Sequence, residues 1–405
     1  MKRTRRAGRS HPVIGLDLGS TEVRAAKVSV PSLGKDGKVT VSAVAARPIS
    51  DGAVSEGRIL SPGSLGSTID AVLDDIGAKR RAPLCVALSG KLAGLTQVLI
   101  SNQFEPSEWS ATVESGLGRI SPSVSVPEAH TSVIAIERDD RGTTLAVAGA
   151  HNDLMNALQA AVKRSSAHLA VVELAASALL RSHLHIDQDS EGVLVHIGAS
   201  HTLIVGRHGA NITYVESIPE GTNAIVSQLA ADFGISTDDA SNLTRTLWAT
   251  DRDLAPRHNN WAEDTGTDED FFDLSGGGSS DEEPDQQRYG QVFTSAVDRL
   301  VDIVSSAIET VQDDPDDPGL ADPAGVALTG TGALLNGLPN RFEVRLGLPT
   351  HGALPWATFK VNDKTRTYLV ADPSDPAKNP RLHVPAATYR RFGIAIGAAM
   401  HPLVN

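Results

Sequence analysis

At 405 residues, of which 40% are hydrophobic and 21% charged, the chain is long enough to bury cores in two lobes. The net charge is −13, and with most of it in one acidic segment the remainder is only mildly acidic, which does not suggest nucleic-acid binding by the folded body. One cysteine, Cys85, excludes a disulfide framework and fits a reducing cytoplasm. No apolar run approaches the roughly 18 to 20 residues that a transmembrane helix needs.

Lys2, Arg3, Arg5, Arg6 and Arg9 have no apolar segment behind them, so residues 1–12 read as a disordered basic tail rather than a secretory signal. Val13-Ile14-Gly15-Leu16-Asp17-Leu18 is an apolar strand, Gly19-Ser20-Thr21 a tight turn and Glu22 to Val30 a second strand. A third strand, Lys38 to Ala46, follows the turn at Lys35-Asp36-Gly37. An Asp two residues before a turn glycine sets a carboxylate beside backbone N–H groups that can face an anion, with Mg²⁺ to mediate the charge. Asp17, Gly19, Ser20 and Thr21 are therefore the first candidates for holding phosphate.

Leu65, Ile69, Val72, Leu73 and Ile76 share one face of a helix predicted over Ser64–Ile76, which leads through Pro83 to a strand over Leu84–Leu88. Cys85 in that strand is expected to be a buried, inert thiol. Gln97–Ile100, Ser132–Glu137 and Thr143–Ala148 read as strands around a helix near Pro106–Leu117, and Asn152–Arg164 reads as an amphipathic helix.

The opening pattern then returns. Val193-Leu194-Val195-His196-Ile197 is a strand, Gly198-Ala199-Ser200 a turn, and strands follow at His201–Gly206 and Asn211–Ser217, which makes the unit a duplicate whose turn faces the first across a ligand. A helix is predicted over Ser236–Trp248. From Asp251 to Asp285, twelve acids against Arg252 and Arg257 supply −10 of the net charge around the run Ser275-Gly276-Gly277-Gly278-Ser279-Ser280. That composition cannot bury enough apolar surface to fold, so residues of about 251–288 read as a disordered insertion. Val292, Ala296, Val297, Leu300, Val301, Val304 and Ile308 set the stripe of a helix over Gln291–Val311. Finally, Gly325–Leu328 is a short strand before the loop Gly330-Thr331-Gly332, where glycines let a backbone approach a flat ligand closely.

In that order, Asp17-Leu18-Gly19-Ser20-Thr21, Ile197-Gly198-Ala199 and Leu328-Thr329-Gly330-Thr331-Gly332-Ala333 resemble the motifs of the actin, Hsp70 and sugar-kinase superfamily. Val172–Leu180 and Phe392–Ala399 look like its two connecting helices. The resemblance spans about 13 to 400 and implies an α/β, duplicated ribonuclease-H-like fold of two actin-like lobes. The first lobe is 13–185 with a small inserted α+β subdomain at about 96–150, the second is 186–385 with the acidic insertion, and 386–405 is a C-terminal connecting helix returning to the first lobe. It also implies ATP and Mg²⁺ as ligands. Asp17 would hold Mg²⁺ through water, Gly198, Ala199 and Ser200 would face the phosphates, and Gly330, Thr331 and Gly332 would admit the adenine. Glu173 would orient a metal-bound water as the catalytic residue.

The chain departs from the superfamily where charge matters. His196 stands where the second motif usually carries an Asp, and a neutral imidazole does not replace a carboxylate for Mg²⁺. The Ala-Glu-x-x-Lys that faces the nucleoside in relatives is Ala240-Ser241-Asn242-Leu243-Thr244 here. Phosphoryl transfer depends on charges placed around the metal, so the resemblance implies binding with weak or absent hydrolysis.

Gly15-Leu16-Asp17-Leu18-Gly19-Ser20 with Val23-Arg24, and Ile218-Pro219-Glu220-Gly221 before an amphipathic helix, resemble the bacterial actin-like PilM family, with FtsA as the next relative. FtsA proteins end in an amphipathic membrane helix, for which Met400–Asn405 leaves no room. The PilM resemblance implies a cytoplasmic scaffold at the inner face of the membrane in a type IV pilus or related secretion machine. Its partners would be the cytoplasmic segment of a PilN-like inner-membrane protein, through which it attaches peripherally, and other pilus components. A groove of the small subdomain near Val133 and Leu145 is the expected docking place. An FtsA-like division or cell-shape protein and a small-molecule kinase remain the alternatives.

Overall fold

The computed structural model describes residues 13–29, 40–55, 57–90, 92–120, 129–140, 142–183, 191–250, 283–312, 323–335, 337–353 and 390–401. The basic tail, most of the acidic insertion and the last four residues lie outside them.

Both hairpins form as their apolar strands and Gly turns require. In chain order the first half runs through β1 (Val13–Leu18), β2 (Glu22–Ser29) and β3 (Thr40–Pro48), the two-residue strands β4 (Val54–Ser55) and β5 (Arg58–Ile59), α1 (Pro62–Asp75) and β6 (Pro83–Leu88). It continues with β7 (Ala93–Ile100), α2 (Ser110–Ile120), β8 (Ala129–Arg138), β9 (Thr143–His151), α3 (Asn152–Arg164), β10 (His168–Leu174) and α4 (Ala175–Ser182). The second half holds β11 (Glu191–Ile197), β12 (Thr202–His208), β13 (Asn211–Ile218), α5 (Thr222–Phe233), α6 (Thr237–Thr250), α7 (Glu283–Gln312), β14 (Val326–Thr329), α8 (Leu338–Leu346), β15 (Thr350–Gly352) and α9 (Gly393–Ala399).

The duplication is explicit in the sheets. One has the order β10-β6-β1-β2-β3 and the other β15-β14-β11-β12-β13, so β1 and β11 hold the same central place. Each is antiparallel to its hairpin partner and parallel to the next strand, β6 or β14. A central strand covered on both faces reads as a continuous apolar run, which is why VIGLDL and EGVLVHI lack alternation. Among the described residues no helix is long and apolar enough to cross a membrane.

Each sheet has its own core. Ile69, Val72 and Leu73 of α1 pack with Leu158 of α3 under the first, while Val297, Leu300, Val301, Val304 and Ile308 of α7 pack under the second. The α7 stripe matches the sequence reading and adds Phe293, which is fully buried. Between the sheets lie α4 and α9, built from small residues so that their backbones nearly touch. A Cβ on Gly397 of α9 would sit 1.7 Å from the Ala178 carbonyl oxygen of α4, and one on Gly15 of β1 would sit 2.0 Å from the Ala395 carbonyl oxygen of α9.

Several boundaries differ from the sequence expectation. Val172, Glu173 and Leu174 close β10 rather than opening α4, because Val171 and Val172 continue the ladder to β6 and the helix starts only at the alanines. The small sheet β7-β9-β8 begins at Ala93, not Gln97, since Ala93 to Leu95 already pair with Ala148 to Ala150. Helix α7 starts at Glu283, so 283–288 is helical rather than part of a disordered insertion.

Candidate functional site

The β1–β2 register sets Asp17 directly opposite Arg24, and that pairing governs the cleft. Gly19 N donates to the Glu22 carbonyl at 3.1 Å, closing the turn and bringing Glu22 to the same end. Arg24 NH1 donates to Asp17 Oδ2 at 2.9 Å and its Nε to Glu22 Oε1 at 2.7 Å. Its NH2 crosses to the second lobe and donates to Thr331 Oγ1 at 3.0 Å. Arg391, just before α9, completes the group by bonding both Glu22 oxygens. The Arg24 and Asp17 side chains are only 4% and 3% exposed, so this is a buried ionic cluster spanning the lobes.

Burial pushes the Asp17 carboxyl above its usual range, with Arg24 pulling against it. Glu22 is also raised by burial, but Arg24 and Arg391 together outweigh that and hold it below the ordinary carboxylate range.

The second hairpin is the neutral counterpart. Gly198 N donates to the His201 carbonyl at 3.0 Å, repeating the first turn, and His196 takes the place of Asp17 with Leu203 opposite it. The carbonyls of Gly198 and Ala199 accept from Thr222 N and Asn223 N at 3.0 and 2.8 Å, which caps the start of α5. Gly330 adopts φ +85°, and a Cβ there would lie 2.5 Å from the Ile197 carbonyl oxygen and 3.0 Å from His196 Cε1. A Cβ on Gly332 would lie 2.3 Å from Ile197 Cγ2. Both glycines thus let the loop close over β11. Ser20 Oγ and His196 Nδ1 are buried without a hydrogen-bond partner among the described residues.

The structure brings Asp17, the first turn and Thr331 together through Arg24, and Gly330 and Gly332 against Ile197 at the second turn. Glu173 lies two strands from Asp17, at the end of β10, with both oxygens held by Arg181 of α4 at 2.9 and 2.7 Å. Cys85 Sγ donates to the same carboxylate at 3.3 Å, and burial with the nearby Glu173 charge raises the thiol pKa far above its usual value, as expected of an inert cysteine. Arg181 also donates to the Gly397 carbonyl at 2.8 Å, so Glu173 anchors α4 against α9. To orient a water it would first have to surrender that pair. Arg24 and Arg391 are not among the site residues that the sequence points to, although the hairpin register that pairs Asp17 with Arg24 is a local signal.

A cavity of about 420 Å³ opens at the same end of the sheets, between the small subdomain and the second lobe. Leu88, Leu95, Ala176, Leu203, Tyr214 and Glu216 are among its lining. Beside it, Gln97 Nε2 of β7 donates to the Ile212 carbonyl of β13 at 2.6 Å and ties the small subdomain to the second lobe.

The chain superimposes on the PilM of a PilM–PilN type IV pilus biogenesis complex with a TM-score of 0.70 at 17% identity, over 98% of this chain and 99% of that one. The chain has the actin-like two-lobed fold. Ethanolamine utilization protein EutJ from Carboxydothermus hydrogenoformans matches at a TM-score of 0.50 and 13% identity, over 98% of this chain and 91% of that one. No protein-family model and no curated protein matches the sequence.

Two buried histidines of this actin-like core make its stability pH-dependent. Burial lowers His183, at the end of α4, to about 4 and lowers His196 well below the usual 6.5, with Arg24 adding to the latter. Both are neutral in the fold, while the unfolded chain takes up protons as pH falls below 6.5. Stability is therefore full above that pH and declines as pH drops toward the folded value, by about 3 kcal/mol for His183 alone. Urea unfolding across this window should show that slope, flattened in His183→Gln; an unchanged slope in the variant would contradict the assignment.

Proposed function

We propose that this chain is a cytoplasmic actin-like scaffold of a type IV pilus or related secretion machine. It docks the cytoplasmic segment of a PilN-like inner-membrane protein, attaches to the membrane through that partner and contacts other machine components. The observation that carries this reading is the end-to-end match to PilM, a protein solved in complex with PilN.

The surface supports it. Of the large apolar residues exposed among those described, Leu99, Phe104 and Val133 belong to the small subdomain, against Leu60 and Val344 elsewhere. One face of the small sheet is covered by α2 through Val98, Ile100, Leu145 and Val147. Strand β8 forms the sheet edge away from β13, where an extended peptide can add a strand.

ATP is the proposed ligand of the interlobe cleft, with a structural rather than catalytic purpose. Asp17, Gly19, Ser20, Thr21, Gly198, Ala199, Ser200, Gly330, Thr331 and Gly332 are its proposed frame, and the partnerless Ser20 hydroxyl is suited to donate to a phosphate oxygen. Hydrolysis is expected to be at background, because Glu173 is locked by Arg181 and His196 replaces the second carboxylate. Calorimetry with ATP should show binding while phosphate release stays at the blank; brisk turnover would overturn the scaffold reading. For docking, Val133→Asp on β8 is expected to lower recovery of the chain on partner-containing membranes roughly tenfold, the loss of about 1.4 kcal/mol. Undiminished recovery would remove the small subdomain from the docking role.

A further inference from the structure

The carboxylates of the interlobe cleft do not suit Mg²⁺, the ion that an actin-like nucleotide site implies. Mg²⁺ takes near-octahedral oxygen ligands and keeps several of its waters, so it needs a carboxylate with free lone pairs and room beside it. Asp17 has little of either to offer, being buried with its Oδ2 accepting from Arg24 NH1 at 2.9 Å. Glu22 carries two guanidiniums, from Arg24 and Arg391, and Glu173 accepts both donors of Arg181. Thr331 Oγ1 already accepts from Arg24. Among the described residues no group of three His, Cys, Asp or Glu side chains is placed to hold a metal. Asp17, Glu22 and Glu173 are thus each neutralised by an arginine.

The Arg24 guanidinium also does mechanically what a cation between two lobes does. Its Nε and NH1 hold the first lobe at Glu22 and Asp17, while NH2 reaches a residue 307 positions away in the second. The guanidinium is planar and always charged, and its donors are fixed in direction, so it spans three acceptors at once. A divalent cation approaching Asp17 would meet that positive charge at hydrogen-bond range, in surroundings that screen it poorly.

We propose that this cleft excludes divalent cations and that Arg24 clasps the lobes in their place, so that lobe closure is independent of metal. The inference goes beyond the docking role and stands or falls separately from it.

Manganese titration of the full chain, with the free ion followed by electron paramagnetic resonance, tests it. The wild type should show only weak binding to surface carboxylates, identical in Asp17→Asn, and its melting temperature should not respond to Mg²⁺ or EDTA. Arg24→Met, which frees Asp17 and part of Glu22, should gain a site at least roughly tenfold tighter than that background. That gain should vanish in Arg24→Met with Asp17→Asn, and Arg24→Lys, which keeps the charge, should not show it. A wild-type manganese site lost in Asp17→Asn would overturn the proposal. So would a folded Arg24→Met chain with no added affinity. Should Arg24→Met fail to fold, the comparison of wild type with Asp17→Asn still decides.

Discussion

Replacing Gly397 with alanine is expected to cost about 3 kcal/mol or more, enough to unfold most of a marginally stable chain. The added methyl would be centred 1.7 Å from the Ala178 carbonyl oxygen and 2.5 Å from its carbon, and backbone atoms in the middle of α4 have no rotamer by which to give way. Nor can α9 retreat, because its opposite side lies on Gly15 of β1 with the same intimacy. The two helices would have to part, and with them the Arg181 contact to the Gly397 carbonyl. Gly290 makes the contrasting case. It lies in α7 with nothing within 4 Å of where a methyl would project, so Gly290→Ala should stabilise by roughly 0.5 to 1 kcal/mol through lower chain entropy. Urea unfolding of both variants checks the signs; a Gly397→Ala chain as stable as the wild type would show that the helices are not packed this closely.

Arg24→Met carries the second large effect, a loss of about 3 to 5 kcal/mol. The energy comes less from the ion pair itself than from what its removal leaves behind, a buried Asp17 carboxylate without a counter-charge. Glu22 is better protected because Arg391 still bonds it. The double variant Arg24→Met with Asp17→Asn should therefore recover a large part of the loss, which a double-mutant cycle measures as a strong coupling between the two positions. Strict additivity of the single changes would mean that the pair does not organise the cleft.

Much of this architecture is legible in the chain. The two Gly-turn hairpins, the α7 stripe and the small residues of Phe392–Ala399 are local patterns, and local patterns survive without knowledge of the fold. Where the sequence falls short, the missing information is long-range or ambiguous in kind. Val171-Val172-Glu173-Leu174 fits a strand end and a helix start equally, and only pairing with β6 settles it. Gly330 and Gly332 read as openings for a ligand, yet the atoms nearest their missing side chains belong to Ile197 and His196, and no sequence tells a glycine's neighbour. The contacts of Arg24 with Thr331 and of Arg391 with Glu22 join residues more than 300 positions apart, beyond any periodicity.

The proposed docking of this actin-like body on a membrane protein through its small subdomain can be read directly by placing a photoreactive amino acid at position 133 in the full chain and irradiating cells that produce it. One dominant crosslink is expected from position 133, to the cytoplasmic segment of an inner-membrane protein, and none from the same group at the exposed Val344 of α8. A crosslink only to soluble proteins, or an equal one from position 344, would overturn docking through the small subdomain.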